Sequence, residues 1–119
     1  MNEKPFIALP TLTGVELISP NDIISVFSDD KTISISIENR PKKTINISIG
    51  RAEKALDQNC FVRCHQRHIV NVLKIKEVRN QCSLVLLTNG EQIPISRSCK
   101  NEFKQILDSF CNKLGGLEC

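Results

Sequence analysis

The sequence lacks long apolar runs and has few aromatic residues. No stretch approaches the ~20 apolar residues of a membrane span. The N-terminal Met-Asn-Glu-Lys-Pro-Phe is not a basic region followed by an apolar one, so no secretion signal is predicted. We therefore expect a cytoplasmic protein with no membrane partner. Trp and Tyr are absent and only five Phe occur, which argues against the aromatic surfaces on which single-stranded nucleic acids commonly stack.

Closely spaced cysteine pairs are absent as well. None of the six cysteines forms a Cys-x2-Cys pair, and without an export signal the thiols are expected to be reduced and mostly packed. One cluster does combine metal-ligand types, namely Cys60, Cys64, His65 and His68. Its spacing fits zinc poorly, because Cys64 and His65 point to opposite faces if they lie in a strand. A metal- or redox-responsive module using this cluster is kept as an alternative.

Nucleotide-binding and catalytic motifs are missing too. Neither a P-loop nor G-x-G-x-x-G occurs, and no glycine-rich oxyanion turn accompanies Cys64 and His65. The segment Val26–Lys31 (VFSDDK) resembles the acidic strand end of a receiver domain. A receiver needs alternating β/α units, whereas a strand of alternating polar and apolar residues follows here. We predict no catalytic residue, no metal site and no cofactor, and therefore no enzyme.

Basic charge is concentrated in the second half of a chain of ordinary globular composition. The net charge is +3 over 119 residues, a length that fits one domain, residues 1–119. Between Phe61 and Arg79, five Lys or Arg stand against one acid, and between Ser96 and Lys104 three stand against one. Clustered positive charge on a small domain favours a polyanionic partner.

The hydrophobic pattern predicts a mainly β protein. IISVF (residues 23–27), TISISI (32–37) and KTINISI (43–49) read as strands, with a basic turn at Arg40–Lys43. RAEKALDQ (51–58) consists of good helix formers and predicts a helix of about two turns. CFVRCH (60–65) and HIVNVLKI (68–75) return to a strand pattern.

The remaining segment predicts a hairpin followed by a helix. Asn89-Gly90 between CSLVLLT and EQIPIS is a strong hairpin signal, and Pro94 places its strand at a sheet edge or a bulge. Apolar residues from Cys99 to Leu114 recur with a 3.6 period, which predicts a C-terminal amphipathic helix that begins after Ser98 and stops at Gly115-Gly116.

Three connections carry groups suited to anions. The first is the break between two predicted strands, Gln66, Arg67 and His68. Arg and Gln side chains can also read the edges of guanine and adenine. Ser96–Lys100 combines hydroxyls with cations at a predicted helix N-terminus. The third connection is the turn Asp29–Thr32, which contains Lys31.

Two longer stretches, FVRCHQRHIVN (61–71) and LVLLTNGEQIPISRSCKNEF (84–103), resemble the LytTR family of DNA-binding domains, the output modules of many bacterial response regulators. The matching residues are Phe61, Arg63, His65, Val70, Asn71, Asn89, Gly90, Pro94, Ser96 and Arg97. The resemblance extends over residues 5–112, and no receiver domain is present in the sequence. His68 and Arg67 depart from the family pattern, which often has Tyr or Phe and Ser at these positions.

The resemblance implies a mainly β domain of antiparallel strands and hairpins in small packed sheets, with one short internal helix and a C-terminal amphipathic helix. Such domains grip duplex DNA through loops in successive major grooves, often at paired direct repeats. The resemblance is compatible with a homodimer on DNA and with an upstream sensor or receiver partner. A protein–protein adaptor without DNA binding is a further alternative. The implied contact residues are Lys31, Thr32, Gln66, Arg67, His68, Arg97, Ser98 and Lys100, whereas His65 and Asn71 are expected to be structural.

Overall fold

A computed structural model describes residues 5–112 and 114 of the chain. These residues form three antiparallel sheets, with strand orders β1-β2, β5-β4-β3-β7-β6 and β10-β9-β8. The strands are β1 (Ile7–Pro10), β2 (Val15–Ile18), β3 (Ile23–Asp29), β4 (Thr32–Ile37), β5 (Arg40–Ile45), β6 (Phe61–His65), β7 (His68–Asn71), β8 (Ile75–Arg79), β9 (Leu84–Leu87) and β10 (Gln92–Pro94). Helix α1 spans Ile49–Ala55 and helix α2 spans Lys100–Phe110. The predicted mainly β fold with a short internal helix and a C-terminal helix is confirmed.

The central five-stranded sheet separates two hydrophobic clusters. Alternation along β4 directs Ile33, Ile35 and Ile37 into the first cluster, together with buried residues of α1 and of the β1–β2 hairpin. Val62 of β6 and Val70 of β7 belong to the second cluster, together with the three-stranded sheet and Phe103 of α2. The sheet is therefore covered on both faces along β3, β7 and β6.

The β4–β5 hairpin differs from the predicted one. Its two-residue turn is Glu38–Asn39, because Ile37 pairs with Arg40 and Asn39 adopts a left-handed φ of 57°. The predicted basic turn Arg40–Lys43 was wrong, since these residues form β5 at the edge of the sheet, where Pro41 removes no interior ladder bond. Strand β5 ends at Ile45, and the predicted strand residue Ile49 instead begins α1.

The predicted internal helix is confirmed as α1. The Ser48 side chain caps it by accepting a hydrogen bond from the Arg51 N–H at 3.2 Å. Ile49 and Ala52 are its buried residues, and Leu56 closes the C-terminal end. The helix therefore lies with its apolar side in the first cluster.

The second half contains one broken strand and one confirmed hairpin. The predicted strand at residues 68–75 ends at Asn71, whose side-chain Oδ1 caps a 3-10 turn, Val72–Lys74, and the chain then enters β8 in another sheet. The β9–β10 hairpin turns at Asn89-Gly90, where Gly90 has a φ of 92°. Pro94 lies on edge strand β10, as predicted.

Helix α2 begins later and ends earlier than the sequence pattern predicts. Cys99 occupies its N-cap position, whereas Ser98 lies within a preceding 3-10 turn, Arg97–Cys99, so the predicted Ser98 cap was wrong. The helix ends at Phe110, and Leu114 is exposed beyond it. Gly115 and Gly116 lie outside the described residues. Neither helix in the described part is long and apolar enough to cross a membrane.

The β8–β9 connection has an unusual backbone conformation and contains a disulfide-bonded cysteine. Asn80, Gln81 and Cys82 all have positive φ, between 55° and 65°, a conformation that side chains with a Cβ normally avoid. Cys82 is buried and disulfide-bonded, so the expectation of reduced thiols was wrong for this residue. Free thiols are found at Cys60, Cys64, Cys99 and Cys111.

Candidate nucleic-acid interface

The three anion-suited connections meet at one end of the central sheet. Antiparallel pairing of β3 with β7 brings their turns together, and the Ser28 N–H donates to the Arg67 carbonyl at 2.8 Å. The Ser96 N–H donates to the Cys64 carbonyl, also at 2.8 Å. Segments separated by about thirty residues or more in sequence thus form a single surface, which we call the loop end: Ser28–Thr32, Gln66–His68 and Ser96–Lys100.

The first segment is a tight hairpin turn. Asp29 pairs with Thr32, which leaves Asp30 and Lys31 as the two turn residues, and Asp30 has a φ of 62°. The Thr32 hydroxyl donates to the Asp29 carbonyl at 3.2 Å. Lys31 is exposed at the tip, whereas Thr32 is half-buried at the start of β4.

The second segment is a turn with two exposed side chains. Its backbone is fixed by hydrogen bonds. Gln66 and Arg67 are exposed. The Gln66 carbonyl accepts a bond from Arg63 Nη2 at 2.6 Å, and the Arg67 N–H donates to His65 Nδ1 at 3.1 Å. Arg63 and His65 therefore support the turn, as the sequence predicts for His65. Asn71 is likewise structural, since its buried Nδ2 donates to the Ile23 carbonyl.

His68 lies in β7 and not in the turn. Its ring stands 5.0 Å from the Phe27 ring across the strand pair and 5.3 Å from the His65 ring. Burial and the neighbouring His65 lower the pKa of His68, against a raising contribution from Glu91. At neutral pH the ring is therefore uncharged and offers little attraction to a phosphate.

The third segment leads into α2. Arg97 and Ser98 are exposed, Lys100 is half-buried, and the Ser96 and Ser98 hydroxyls lie 3.3 Å apart. No side chain caps the N-terminus of α2, so its first N–H groups point toward the loop end without a side-chain acceptor. Buried Phe103, one turn further, holds this helix in the second cluster.

The cations of the loop end differ in their partners from most others. Within residues 5–112, Lys31, Arg67, Arg97 and Lys100 take part in no ion pair. Six other cations of the described part are paired with carboxylates: Arg40, Lys42, Lys43, Arg63, Lys74 and Arg79. Four further cations have no ion-pair partner among the described residues but are spread over α1, β8 and α2: Arg51, Lys54, Lys76 and Lys104. The loop end thus carries four cations without ion-pair partners in the described part, next to the exposed carboxylates of Asp29 and Asp30.

The structure separates the residues of the metal or redox alternative. Cys60 packs against the first cluster, whereas Cys64 is fully buried in the second. Burial raises the pKa of the Cys64 thiol to about 12, and its Sγ faces the carbonyls of His68 and Pro94. Among the described residues no group of three or more His, Cys, Asp or Glu could hold a metal ion. Cys60 and Cys64 therefore lie on different faces of the central sheet.

One exposed residue directly beside the loop end, Phe27, was missed in the sequence. Phe27 is 37% exposed and lies across from His68. Its position could have been found, because strand alternation places it opposite buried Val26. Its ring packs against His68, so the edge of the loop end includes an exposed apolar surface.

The comparisons identify the family to which this fold belongs. The LytTr DNA-binding domain family matches residues 13–108, and the chain belongs to that family. A LytTr DNA-binding domain of a putative methyl-accepting/DNA response regulator from Bacillus cereus has a similar structure. Its TM-score is 0.75 at 29% identity, over 87% of this chain and 97% of that one.

Longer curated proteins are similar in sequence. The chain is 32% identical over 96 residues to the sensory transduction protein LytT of Enterococcus faecalis, covering 78% of this chain and 39% of that protein. It is 30% identical over 93 residues to the transcriptional regulatory protein LytR of Staphylococcus aureus, covering 76% and 37%. The chain thus matches about two fifths of the length of these relatives.

Proposed function

We propose that this chain is the sequence-specific duplex DNA-binding part of a transcriptional regulator, and that it grips DNA with the loop end. The observation that carries the proposal is the convergence of Lys31, Arg67, Arg97 and Lys100, all without ion-pair partners in the described part, at one end of a rigid sheet. Free cations on rigid supports attract phosphates and release counterions when they bind. The names of the similar proteins LytT and LytR, in sensory transduction and transcriptional regulation, support a regulatory role.

The side chains of this surface differ in which part of DNA they can bind. Gln66, Arg67 and Arg97 are exposed and have the donor pairs that recognise base edges, so we assign them to base contacts. Lys31, Ser98 and Lys100 are assigned to phosphates, because a point charge or a single hydroxyl fixes register without reading sequence. Thr32 and His68 are only partly exposed and line the edge of the contact.

The packing of α2 supports contact through loops instead of through a recognition helix. Phe103 is completely buried, and Ile106 and Leu107 pack against the second cluster. The exposed face of α2 carries the carboxylates of Glu102 and Asp108, which would repel phosphates if this helix entered a groove. We extend the proposal to successive major grooves and to paired direct repeats, with copies separated by about 10 base pairs or a multiple of it. In this arrangement two copies form a dimer on DNA, and an upstream receiver or sensor controls them.

The decisive experiment is selection of binding sequences from a random duplex pool by the purified chain at several salt concentrations. We expect an enriched motif, and its repeat spacing gives the arrangement of copies. Arg67→Ala and Arg97→Ala should weaken binding to the selected duplex, whereas Arg40→Ala, which removes a cation already paired with Glu16, should not. No enriched motif, together with no measurable duplex affinity at low salt, would favour the adaptor alternative.

A further inference from the structure

We infer that Arg63 is a positioning residue for DNA recognition, which fixes the backbone of the Gln66–Arg67 turn without touching DNA itself. The inference rests on the proposed function and goes beyond the contact residues assigned there. It concerns how two exposed side chains on a short turn can discriminate between base sequences.

The guanidinium of Arg63 joins two elements. Its Nη2 donates to the Gln66 carbonyl at 2.6 Å, and its Nη1 donates to Glu53 Oε1 on α1 at 3.1 Å. Helix α1 is anchored by Ile49 and Ala52 in the first cluster. Because a guanidinium is a planar and rigid fork of donors, the turn is tied through it to the hydrophobic core.

Two more bonds complete the support of the turn. The Arg67 N–H donates to His65 Nδ1, and the Arg67 carbonyl accepts from the Ser28 N–H. Three backbone groups of the turn are thus bonded to three different supports. By contrast, the side chains of Gln66 and Arg67 make no hydrogen bond to any described residue. A fixed backbone with free reading groups lowers the conformational entropy lost on binding.

Arg63 itself is poorly placed to contact a phosphate. Its side chain is 27% exposed, and both terminal nitrogens already have partners. Its charge is balanced by Glu53 at 3.1 Å. The register of β6 and β7 also shifts between Arg63 and His65, and such irregularities commonly re-aim side chains beside functional sites. Here Arg63 reaches α1 while fully buried Cys64 enters the second cluster.

The test compares Arg63→Met with Arg79→Met, a matched control that removes an arginine paired with Glu77 on β8. The probes are the duplex selected by the unchanged protein and a duplex of scrambled sequence, both measured below the unfolding transition of every variant. We expect Arg63→Met to bind the selected duplex about tenfold more weakly, with little change on the scrambled duplex. Its salt slope should be unchanged, because no phosphate contact is lost. Arg79→Met should match the unchanged protein on both probes.

A double-mutant cycle tests whether Arg63 acts through the turn. In a Gln66→Ala/Arg67→Ala background, Arg63→Met should cause no further loss on the selected duplex, because the groups it positions are gone. Additive losses would overturn the inference, as would equal weakening of both probes with a salt slope reduced by about one. If Gln66→Ala/Arg67→Ala itself leaves binding unchanged, the assigned contacts fail. If that variant loses binding while Arg63→Met does not, only the positioning role fails.

Discussion

The loop end and the opposite flank of the molecule both carry several cations, yet they differ in what those cations contact. On the flank, Arg40 and Lys43 both bind Glu16, at 2.8 and 2.6 Å. Lys42 lies 3.4 Å from Glu91, and Lys74 lies 3.1 Å from Glu38. We call this group the paired flank. At the loop end the cations have no acidic partner in the described part.

The difference shows why charge counted along a sequence locates a binding surface only coarsely. The segment from Phe61 to Arg79 has an excess of four positive charges, but Arg63, Lys74 and Arg79 within it are paired with carboxylates. Of the five, only Arg67 lies unpaired at the loop end. A cation already paired offers a phosphate less net attraction, so the two regions should respond differently to substitution.

The largest effect is expected at the paired flank, and on stability. Glu91 accepts bonds from the Ser25 and Ser36 hydroxyls at 2.6 and 3.0 Å, and both serines are almost fully buried. Glu91→Ala leaves these two hydroxyls without acceptors and should lower the free energy of unfolding by about 2–4 kcal/mol. Urea unfolding measures it. DNA affinity, measured where the variant is folded, should be unchanged.

Glu91→Gln is the matched control for this variant, because it keeps one acceptor oxygen and removes the charge together with the second acceptor. It should be clearly more stable than Glu91→Ala. If Glu91→Ala instead abolished duplex binding in a fully folded protein, the paired flank would be part of the interface and the division between the two regions would be wrong.

The next largest effect is expected at the loop end, and on binding. Arg97→Ala should cost about 1–3 kcal/mol of affinity for the selected duplex and relax specificity at one position. Arg40→Ala removes the same side chain from the paired flank and should leave affinity unchanged. Equilibrium binding to the selected duplex and its single-base variants provides the measurement. Equal losses in both variants would mean that bulk charge, and not the loop end, controls binding.

A smaller effect concerns salt dependence. Lys100→Ala should weaken binding to every duplex alike and reduce the slope of log affinity against log salt by about one. Lys42→Ala, on the paired flank, should leave the slope as it is. A salt titration of all three proteins on the selected and scrambled duplexes separates these outcomes. An unchanged slope for Lys100→Ala would remove this residue from the phosphate contacts.

The elements that the sequence predicted correctly are those with strong local signals. Period-two alternation in β4, the Asn89-Gly90 turn and the helix formers of α1 each depend on near neighbours. The elements that were predicted wrongly depend on contacts between distant residues or on single backbone angles. Asn39 at positive φ places the turn at Glu38–Asn39, directly before the basic segment, which then extends as an edge strand. The β1–β2 hairpin carries exposed Val15 and Leu17 and was not predicted, because its pattern is weakly amphipathic.

The sequence indicated the three segments of the loop end, but it did not show that they lie together. The three segments were identified by their donors, and the family resemblance implied contact with DNA, which stays a prediction. Local sequence does not reveal that the Ser96 N–H meets the Cys64 carbonyl or that Arg63 reaches Glu53. Ion pairing between residues more than twenty positions apart, such as Arg40 with Glu16, is equally invisible. The distinction between free and paired cations therefore required the structure.

The smallest expected effect is a difference between the two regions in the pH at which each loses stability. Burial lowers the pKa of His68 below its ordinary value of 6.5. The unfolded chain therefore binds more protons there than the folded one, and stability falls as the pH drops below about 6.5. For Glu91, burial alone would raise the pKa, but bonds from Ser25, Asn89 and Ser36 and the charge of Lys42 lower it below 4.5. The stability that Glu91 contributes is lost only as the pH falls below about 4.5.

His68→Phe keeps an aromatic ring against Phe27 and removes the titrating group. Its free energy of unfolding should change less than that of the unchanged protein between about pH 7.5 and about pH 5.5. Glu91→Gln should retain the slope of the unchanged protein in this window, because Glu91 stays ionised throughout it. Urea unfolding at both pH values measures the two slopes. A slope that persists in His68→Phe would show that His68 does not carry the pH dependence of stability in this range.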